Sequence, residues 1–432
     1  MAALAEPGPD QGANRGANPG LDRAEARALR ARLWRSERRR QLRAFGLVAP
    51  LALFLAVVFV LPIVQMLGAA WHDRSVADAM PRTAAAIASW DRDGPPSEEV
   101  YAAIAADLIA GRQTRALALP AQRLNQELTG FRTVIFGTAR ALPDLGADAP
   151  PEGWRDTLTG IDDRWADTAH LVVLQRAARP WTSYYMLHAL DMERGLDDRI
   201  ARQPPDERLF VQLALRTLGI AATVTVVCAV MGFPLAYLLA TVSGGVRAVL
   251  LVMVLLPFWT SLLVRTAAWI VMLQSEGLVN SALMWTGAIG EPLRLIYNRF
   301  GVIAVMSQVL LPFMVLPLYA VMQGISPWYM RAAQSLGAPF ATAFRRVYLP
   351  QTMPGLAAGT LLVFMLSIGY YITPALVGGR GDQMLSYFIA FYATETANWG
   401  LAAALGTMLT GIVAVLFVLY SRVFGTRELS VG

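Results

Sequence analysis

The sequence predicts an all-α, polytopic membrane protein: six transmembrane helices, with a helical extracytoplasmic insertion between the first two. The 432 residues are 55% hydrophobic and only 16% charged, a composition typical of membrane proteins. Six apolar segments are long enough for a helix to cross the hydrocarbon core, which takes about 20 residues. The distribution of arginine then assigns each connection to one side of the membrane.

Each predicted span is a long apolar run with few charges. The predicted limits are Phe45–Ala70, Leu209–Ala240, Ala248–Leu273, Gly301–Met322, Gly355–Val377 and Gly400–Tyr420. They divide the chain into a basic, disordered N-terminal tail (1–43), a first transmembrane helix (44–70), a helical extracytoplasmic domain (71–208), a transmembrane domain (209–425) with a polar loop at 327–354, and a C-terminal tail (426–432).

Arginine predominates in the connections predicted to face the cytoplasm. Residues 27–43 hold eight arginines against one acid, so the positive-inside rule places the N-terminus in the cytoplasm. Alternation of six spans then places residues 330–350, with three arginines and no acid, on the same side. Segment 71–208, with 16 arginines against 21 acids, falls outside. We therefore expect both termini to be cytoplasmic.

Lysine is absent, since all 37 basic residues are arginine. This excludes a Walker A loop, which needs a lysine on the β- and γ-phosphates, and a Schiff-base lysine. If the protein uses ATP, another chain must bind it. The three histidines, His72, His170 and His188, show no ligand spacing, so no metal site is predicted.

The insertion is predicted to be a small all-helical domain rather than a bare loop. Val100, Ile104 and Leu108 recur at helical spacing. Glycine- and proline-rich breaks at 94–96, 150–151 and 204–205 separate the helical stretches. The pattern contains no nucleophile–base arrangement.

A polar stretch, "MRAAQSLGAPFATAFRRVYLP", separates two very apolar segments. Pro327 and the following residues favour a short helix that Gly337 ends, and Pro339 suits the first turn of a second helix. Pro350 and Pro354 are predicted to stop that second helix before the next span. The result would be an L of two short helices lying beneath the membrane.

The second helix is predicted to be amphipathic. Arg345 and Arg346 lie on its polar side, and its apolar stripe consists of Phe340, Ala343, Phe344, Val347 and Tyr348. Such a helix suits docking in the groove of a partner protein. The pattern favours equally an interfacial helix lying against lipid headgroups.

This stretch resembles the coupling loop of the permease subunits of ABC importers. The family pattern is E-A-A, three residues, Gly, nine residues, Ile, one residue and Leu-Pro. Here Arg331-Ala332-Ala333, Gly337, Val347 and Leu349-Pro350 stand at the same spacing, with Arg331 in place of the usual glutamate. The runs "LLPFWTSLLVRTAAWIVMLQSEGLVN" and "IGYYITPALVGG" are similar to permeases of spermidine/putrescine systems, over about Leu209 to Gly425.

The resemblance implies a type I ABC importer permease in the bacterial inner membrane that moves a small solute. Putrescine or spermidine is the first candidate for this solute. It implies a second permease subunit, a cytoplasmic ABC ATPase dimer that carries ATP and Mg²⁺, and a periplasmic substrate-binding protein as partners. This chain would be no enzyme and would bind neither a cofactor nor nucleic acid. The implied ATPase-coupling residues are Arg331, Ala332, Ala333, Gly337, Arg345, Arg346, Val347, Leu349 and Pro350.

Arg265 is the first candidate for the substrate path. It lies deep in the third predicted span, where a charge is costly and by default functional. Trp259, Thr260 and Trp269 are near it in sequence. A structural role for Arg265, tied to neighbouring carbonyls or to a partner permease, remains the alternative.

Two tyrosines and two acids are further candidates. Tyr370 and Tyr371 precede a helix-breaking proline and offer aromatic faces to an ammonium group, although core packing explains them as well. Asp382 and Glu395 are the only acids between spans five and six, and they would guide a cationic ligand or simply face solvent.

Other classes of function remain open. An ABC permease for ferric iron, a phosphonate, an organic acid or an amino acid would share the same pattern. A secondary transporter would usually show paired ionisable groups within its spans, whereas only Arg265 and Arg216 occur there. A membrane-anchored sensor would explain the insertion. In an importer, the insertion would stabilise the outer mouth or contact the binding protein.

Overall fold

The computed structural model describes residues 46–142 and 153–424. The predicted tails at 1–43 and 426–432 and the proline pair at 150–151 lie outside these residues. The chain divides into two compact units, Met1–Gln65 and Met66–Gly432. The described residues are mostly helical, with a single two-stranded sheet among them, which confirms the predicted fold class.

Six helical segments in the described residues are long and apolar enough to cross a membrane, as predicted. We number them as spans one to six in chain order: Gly46–Gly68, Phe210–Thr241, Leu262–Trp285, Arg299–Gln323, Phe340–Gly369 and Trp399–Arg422. Two shorter apolar segments, Gly244–Trp259 and Leu385–Thr394, accompany them.

The sequence predicted the third span as a single helix, Ala248–Leu273, but this stretch contains a break. The helix Gly244–Leu255 passes into a 3-10 turn, Leu256–Trp259, and a new helix begins only at Leu262. Pro257 explains the break, because proline lacks the N–H for the next helical bond and its ring clashes with the preceding turn. The apolar pattern continues across this break, so hydropathy alone joined the two helices.

Spans two, four and five pack against one another and form the centre of the membrane region. Val224, Met314 and Val363, one from each span, are fully buried in its core. The helices after span two are Gly244–Leu255, Leu262–Leu273, Leu278–Trp285, Arg299–Gln323, Pro327–Ser335, Phe340–Ala343, Leu349–Gly369, Ile372–Val377, Leu385–Thr394 and Trp399–Phe424.

The insertion, residues 71–208, forms a helical domain with its own core and one short β-hairpin that was not predicted. The strands Met192–Arg194 and Ile200–Arg202 pair antiparallel. Val100, Ile104 and Leu108 are buried in the core, as the helical spacing predicted. The helices are Ser75–Ala79, Pro81–Ile87, Glu98–Thr114, Ala118–Glu127, Phe131–Ala141, Trp154–Ile161, Thr168–Ala177 and Tyr184–Ala189, with a 3-10 turn at Asp163–Ala166.

A buried arginine lies between two carboxylates in this inserted domain. Arg123, whose side chain is 4% exposed, pairs with Asp73 at 3.2 Å and with Glu127 at 3.0 Å. Its guanidinium lies 4.3 Å from the centroid of the Tyr184 ring. Desolvation by burial acts to raise the pKa of Asp73. Hydrogen bonds from Tyr185 and from the backbone and side chain of Ser75, together with the charge of Arg123, outweigh this effect and lower the pKa.

The inserted domain contacts the beginnings of spans two and six. The Asp191 carboxylate accepts hydrogen bonds from the backbone N–H groups of residues 209–211 at 2.9–3.1 Å, and so satisfies donors at the start of span two. At the start of span six, a Cβ on Gly400 would lie 2.3 Å from ring carbons of Tyr185. Only glycine at this position allows the inserted domain and span six to approach each other this closely.

Candidate functional site

A short helix after span four and the helix that begins at Phe340 meet at a bend at Gly337, as the sequence predicted. The first, Pro327–Ser335, begins at Ser326, whose hydroxyl accepts a hydrogen bond from the N–H of Trp328 at 3.4 Å. Gly337 takes a φ of +88°, in the left-handed region where a Cβ is disfavoured. The backbone at this bend therefore favours glycine.

Hydrogen bonds fix the same bend. The N–H of Gly337 donates to the carbonyl of Gln334 at 2.9 Å, and the N–H of Ala338 donates to the carbonyl of Ala333 at 3.1 Å. This pair of bonds is the Schellman arrangement, which satisfies the last carbonyls of a helix when the residue after its end is left-handed. The loop is thus a defined turn rather than a variable connection.

The second helix does not stop at Pro350 and Pro354, so that part of the prediction was wrong. Phe340–Ala343 continues through a π-helical turn, Phe344–Tyr348, directly into Leu349–Gly369. In that turn the N–H of Leu349 bonds to the carbonyl of Phe344, five residues back. Pro350 follows at the start of the next α-helical segment, where its missing N–H is tolerated.

Span five ends earlier than predicted. The sequence placed one span at Gly355–Val377, but the helix ends at Gly369 and a separate short helix follows at Ile372–Val377. The loop helix and span five are consequently one continuous rod of 30 residues, from Phe340 to Gly369.

The inner face of this rod packs on span two through aromatic side chains. Phe344 lies edge-on to Phe233 and Tyr237, with centroid distances of 6.1 and 5.8 Å, and Tyr237 lies edge-on to Tyr348 at 5.4 Å. Sequence reasoning missed Phe233 and Tyr237, although their i, i+4 spacing on one helix face was a usable signal. Of the predicted stripe, two residues are buried and two are half-buried, while Phe340 is exposed.

The loop also presents exposed apolar side chains beside an arginine. Trp328 is 69% exposed and Leu336 is 88% exposed, and Tyr329 and Phe340 are exposed as well. The Arg331 guanidinium lies 4.9 Å from the Trp328 ring centroid, a cation–π distance. We call these five residues the loop surface. Exposed groups of this kind, brought together at one loop, are typical of an interaction site.

The predicted coupling residues all lie in or next to this loop, with different exposure. The half-buried ones are Ala333, Val347 and Leu349, and the exposed ones are Arg331, Ala332, Gly337, Arg345, Arg346 and Pro350. Their role in coupling stays a prediction.

The fold brings two substrate-path candidates together. Arg265, in the first helical turn of span three, interacts electrostatically with Tyr370, at the break after span five. The Nε and Nη1 atoms of Arg265 are buried without a hydrogen-bond partner in the described residues. The hydroxyls of Ser367 and Thr373, on either side of the break at Tyr370, are likewise buried and unpaired there. Interrupted helices with free polar groups are typical of transporter binding sites.

The remaining candidates lie outside this pair. Trp269 donates from its indole N–H to the side-chain oxygen of Gln308 at 3.3 Å. Asp382 pairs with Arg299 at 3.2 Å. Sequence reasoning missed Arg299, because 83 residues separate the partners. The exposed candidates are Trp259, Thr260, Tyr371 and Glu395.

Known proteins match the membrane region. Residues 214–425 match the family described as "Binding-protein-dependent transport system inner membrane component". The chain is 33% identical over 214 residues to the spermidine/putrescine transport system permease protein PotB of Escherichia coli (strain K12), covering 50% of this chain and 78% of that protein. It is 33% identical over 234 residues to the inner membrane ABC transporter permease protein YdcU of the same organism, covering 50% and 72%. A solved bacterial alginate ABC transporter in complex with its alginate-bound periplasmic protein gives a TM-score of 0.41 at 20% identity, covering 49% of this chain and 77% of that chain.

Six spans and the matched region define the class as a multi-pass inner-membrane transport permease. The chain belongs to the binding-protein-dependent transport system inner membrane component family, the permeases of ABC importers. The similarity to PotB proteins confirms the resemblance to polyamine-type permeases that the sequence motifs identified.

Proposed function

We propose that this chain is the membrane-spanning subunit of an ATP-driven polyamine importer, and that a separate cytoplasmic ATPase docks on the loop surface. We infer the docking from the exposure of Trp328, Leu336 and Phe340 on a loop with a fixed bend. A preformed helical element with apolar anchors is suited to a partner groove. The lack of lysine supports a separate ATPase, since this chain cannot form a Walker A loop.

The assembly then follows the family pattern. A second permease subunit completes the membrane pathway, two ATPase subunits bind ATP and Mg²⁺, and a periplasmic protein delivers the solute. Both termini of this chain and the loop at Gly337 face the cytoplasm, in line with the arginine distribution.

A rigid connection supports coupling between the loop and the membrane pathway. Because Phe340–Gly369 is one continuous helical segment, a displacement of its loop end would be transmitted toward its far end. That far end leads into the break at Tyr370, which interacts with Arg265. Closure of the ATPase dimer would therefore act on the unpaired polar groups beside this break.

A polyamine is the proposed solute because relatives that share 33% identity over 214 residues with this chain are named as spermidine/putrescine permeases. The exposed ring of Tyr371 and the exposed carboxylate of Glu395 are suitable contacts for an ammonium group. One observation favours a second class. Two side-chain nitrogens of Arg265 are buried without a hydrogen-bond partner in the described residues, and their N–H groups suit an anionic solute.

Uptake of labelled putrescine and spermidine in a deletion strain tests the proposal. We expect uptake to fall on deletion and to return with the intact chain. Unchanged polyamine uptake in the deletion strain, together with the loss of transport of an anion, would shift the assignment to an anionic solute. Arg265→Gln would then abolish anion uptake, while Arg265→Lys, which keeps the charge, would retain part of it.

A further inference from the structure

The inserted domain contains a cavity of about 460 Å³ that is separate from the loop and from the membrane pathway. It lies between the helices Ala118–Glu127, Thr168–Ala177 and Tyr184–Ala189 and the hairpin strand Met192–Arg194. This volume is within the range of small-molecule sites. Neither the family nor the proposed transport function accounts for it.

Three residues that line the cavity carry buried polar atoms without a hydrogen-bond partner in the described residues. These atoms are Gln126 Oε1, Gln203 Oε1 and Arg176 Nε. Gln203 is only 2% exposed, and its other side-chain atom, Nε2, bonds to His188. Since buried polar groups are nearly always paired, two free acceptors and one free donor around one cavity indicate a ligand that supplies both donors and acceptors.

The charges of the lining divide into paired and free groups. Asp198 is bound by Arg92 and Arg176, at 2.8 Å each. The side chains of Arg179, Glu193, Arg194 and Glu207 also line the cavity, and they form no hydrogen bond or ion pair in the described residues. The lining therefore offers free charges of both signs, which suits a ligand that carries both an ammonium and a carboxylate group.

Part of the lining is apolar and aromatic. Trp71 and Trp181 line the cavity and are both exposed, and Trp181 is held edge-on to His72 at a centroid distance of 5.0 Å. Leu187 and Met192 add aliphatic surface. An apolar side chain of the ligand would be covered by these residues.

We propose that the cavity binds a small zwitterion with an apolar group, of the kind represented by an aromatic amino acid. The ammonium group bonds to Gln126, Gln203 and Glu207, the carboxylate bonds to Arg176 and Arg179, and the apolar group lies against Trp181. One molecule then supplies partners for the unpaired polar atoms, the free charges and the apolar surface of the lining.

The test uses isothermal titration of the full-length protein in detergent with three compounds that share a phenylethyl group. L-Phenylalanine carries both charges, phenethylamine lacks the carboxylate, and 3-phenylpropionate lacks the ammonium. We expect L-phenylalanine to bind and each single-charge analogue to bind about 10- to 100-fold more weakly, because a hydrogen bond to a charged group contributes about 1.5–3 kcal/mol.

Variants locate the binding. Arg179→Gln and Glu207→Gln should each weaken L-phenylalanine binding about tenfold or more. Arg202→Gln, at an exposed arginine of the same hairpin that does not line the cavity, should leave it unchanged. A circular-dichroism spectrum and a melting temperature like those of the unmodified protein show that each variant is folded.

Three results would overturn the inference. They are no heat with millimolar L-phenylalanine, equal binding of phenethylamine, or an equal effect of Arg202→Gln. None of these measurements involves transport, so the cavity and the importer assignment succeed or fail separately.

Discussion

At the scale of single residues, Gly337 acts through its backbone and not through contacts. Its φ is +88°, and a Cβ placed there would meet no atom within 4 Å. The cost of a substitution is therefore the strain of the left-handed conformation, about 1–2 kcal/mol for a residue with a Cβ. Any clash would arise only with a docked partner.

Gly337→Val is expected to remove coupling while leaving the membrane region intact. Valine disfavours the left-handed bend, whereas Gly337→Asn, which tolerates that conformation, should retain much of the activity. The measurements are solute uptake, ATP hydrolysis stimulated by the loaded binding protein, and co-purification with the partner permease. Normal uptake and normal ATPase co-purification in Gly337→Val would leave the loop as an interfacial helix only.

Arg123 is the second residue whose environment makes a strong prediction. Replacing it with methionine leaves Asp73 and Glu127 facing each other without their shared cation. Breaking a buried pair costs about 3–5 kcal/mol, so Arg123→Met should lower the melting temperature of the inserted domain. The exposed Arg82→Met should change it little, and adding Glu127→Gln to Arg123→Met should restore part of the loss. Equal melting of Arg82→Met and Arg123→Met would refute this role.

The same cluster makes the stability of the inserted domain fall at acid pH. Asp73 has a lowered pKa in the folded protein, so the unfolded chain, with the ordinary value of 3.8, takes up the proton first as pH falls. Its contribution to stability is complete above pH 3.8 and is lost as pH drops through the lower folded value. Denaturation followed at a series of pH values should show this decline, and Asp73→Asn should reduce it.

At the scale of secondary-structure elements, helix ends decide how the inserted domain and the spans connect. Asp191 takes a φ of +55° and accepts three backbone N–H groups at the start of span two. The rod Phe340–Gly369 begins at a fixed bend and contains a π turn. In both cases a few hydrogen bonds orient a long helix.

Asp191→Ala should destabilise the first turn of span two. The three N–H groups lose their acceptor, which costs about 0.5–2 kcal/mol by analogy with helix caps. Asp191→Asn is the matched control, because it keeps one oxygen acceptor and tolerates positive φ. Hydrogen exchange at residues 209–213 should quicken in the alanine variant and much less in the asparagine variant. Unchanged exchange in Asp191→Ala would show that the cap does not stabilise this end.

At the scale of the whole molecule, six spans and the arginine distribution predict the topology. Reporter fusions after Asp148, which lies outside the described residues, should report the outside, and fusions after Gln334 should report the cytoplasm. A fusion after Arg202, in the same connection as Asp148, is the internal control. Opposite labelling at Asp148 or Gln334 would contradict the six-span topology.

The sequence by itself determined the helical class, the number of spans and the bend at Gly337. These features depend on local properties, namely the length of apolar runs, the spacing of apolar residues along a helix and the freedom of glycine at positive φ. It also identified the stretch that resembles a coupling loop, because that pattern is contiguous. The continuation of the helix past Pro350 was missed, since a π turn is not visible in residue types.

Only the tertiary structure decided the partners of the charged groups. Asp382 pairs with Arg299, Asp191 binds the start of span two, and Arg265 interacts with Tyr370, each across a long separation in sequence. The break at Pro257 and the cavity lined by Gln126, Arg176 and Gln203 were equally unforeseen. The break was missed because hydropathy treats an apolar run as continuous whether or not the helix is interrupted. The cavity was missed because its residues meet only when distant helices pack.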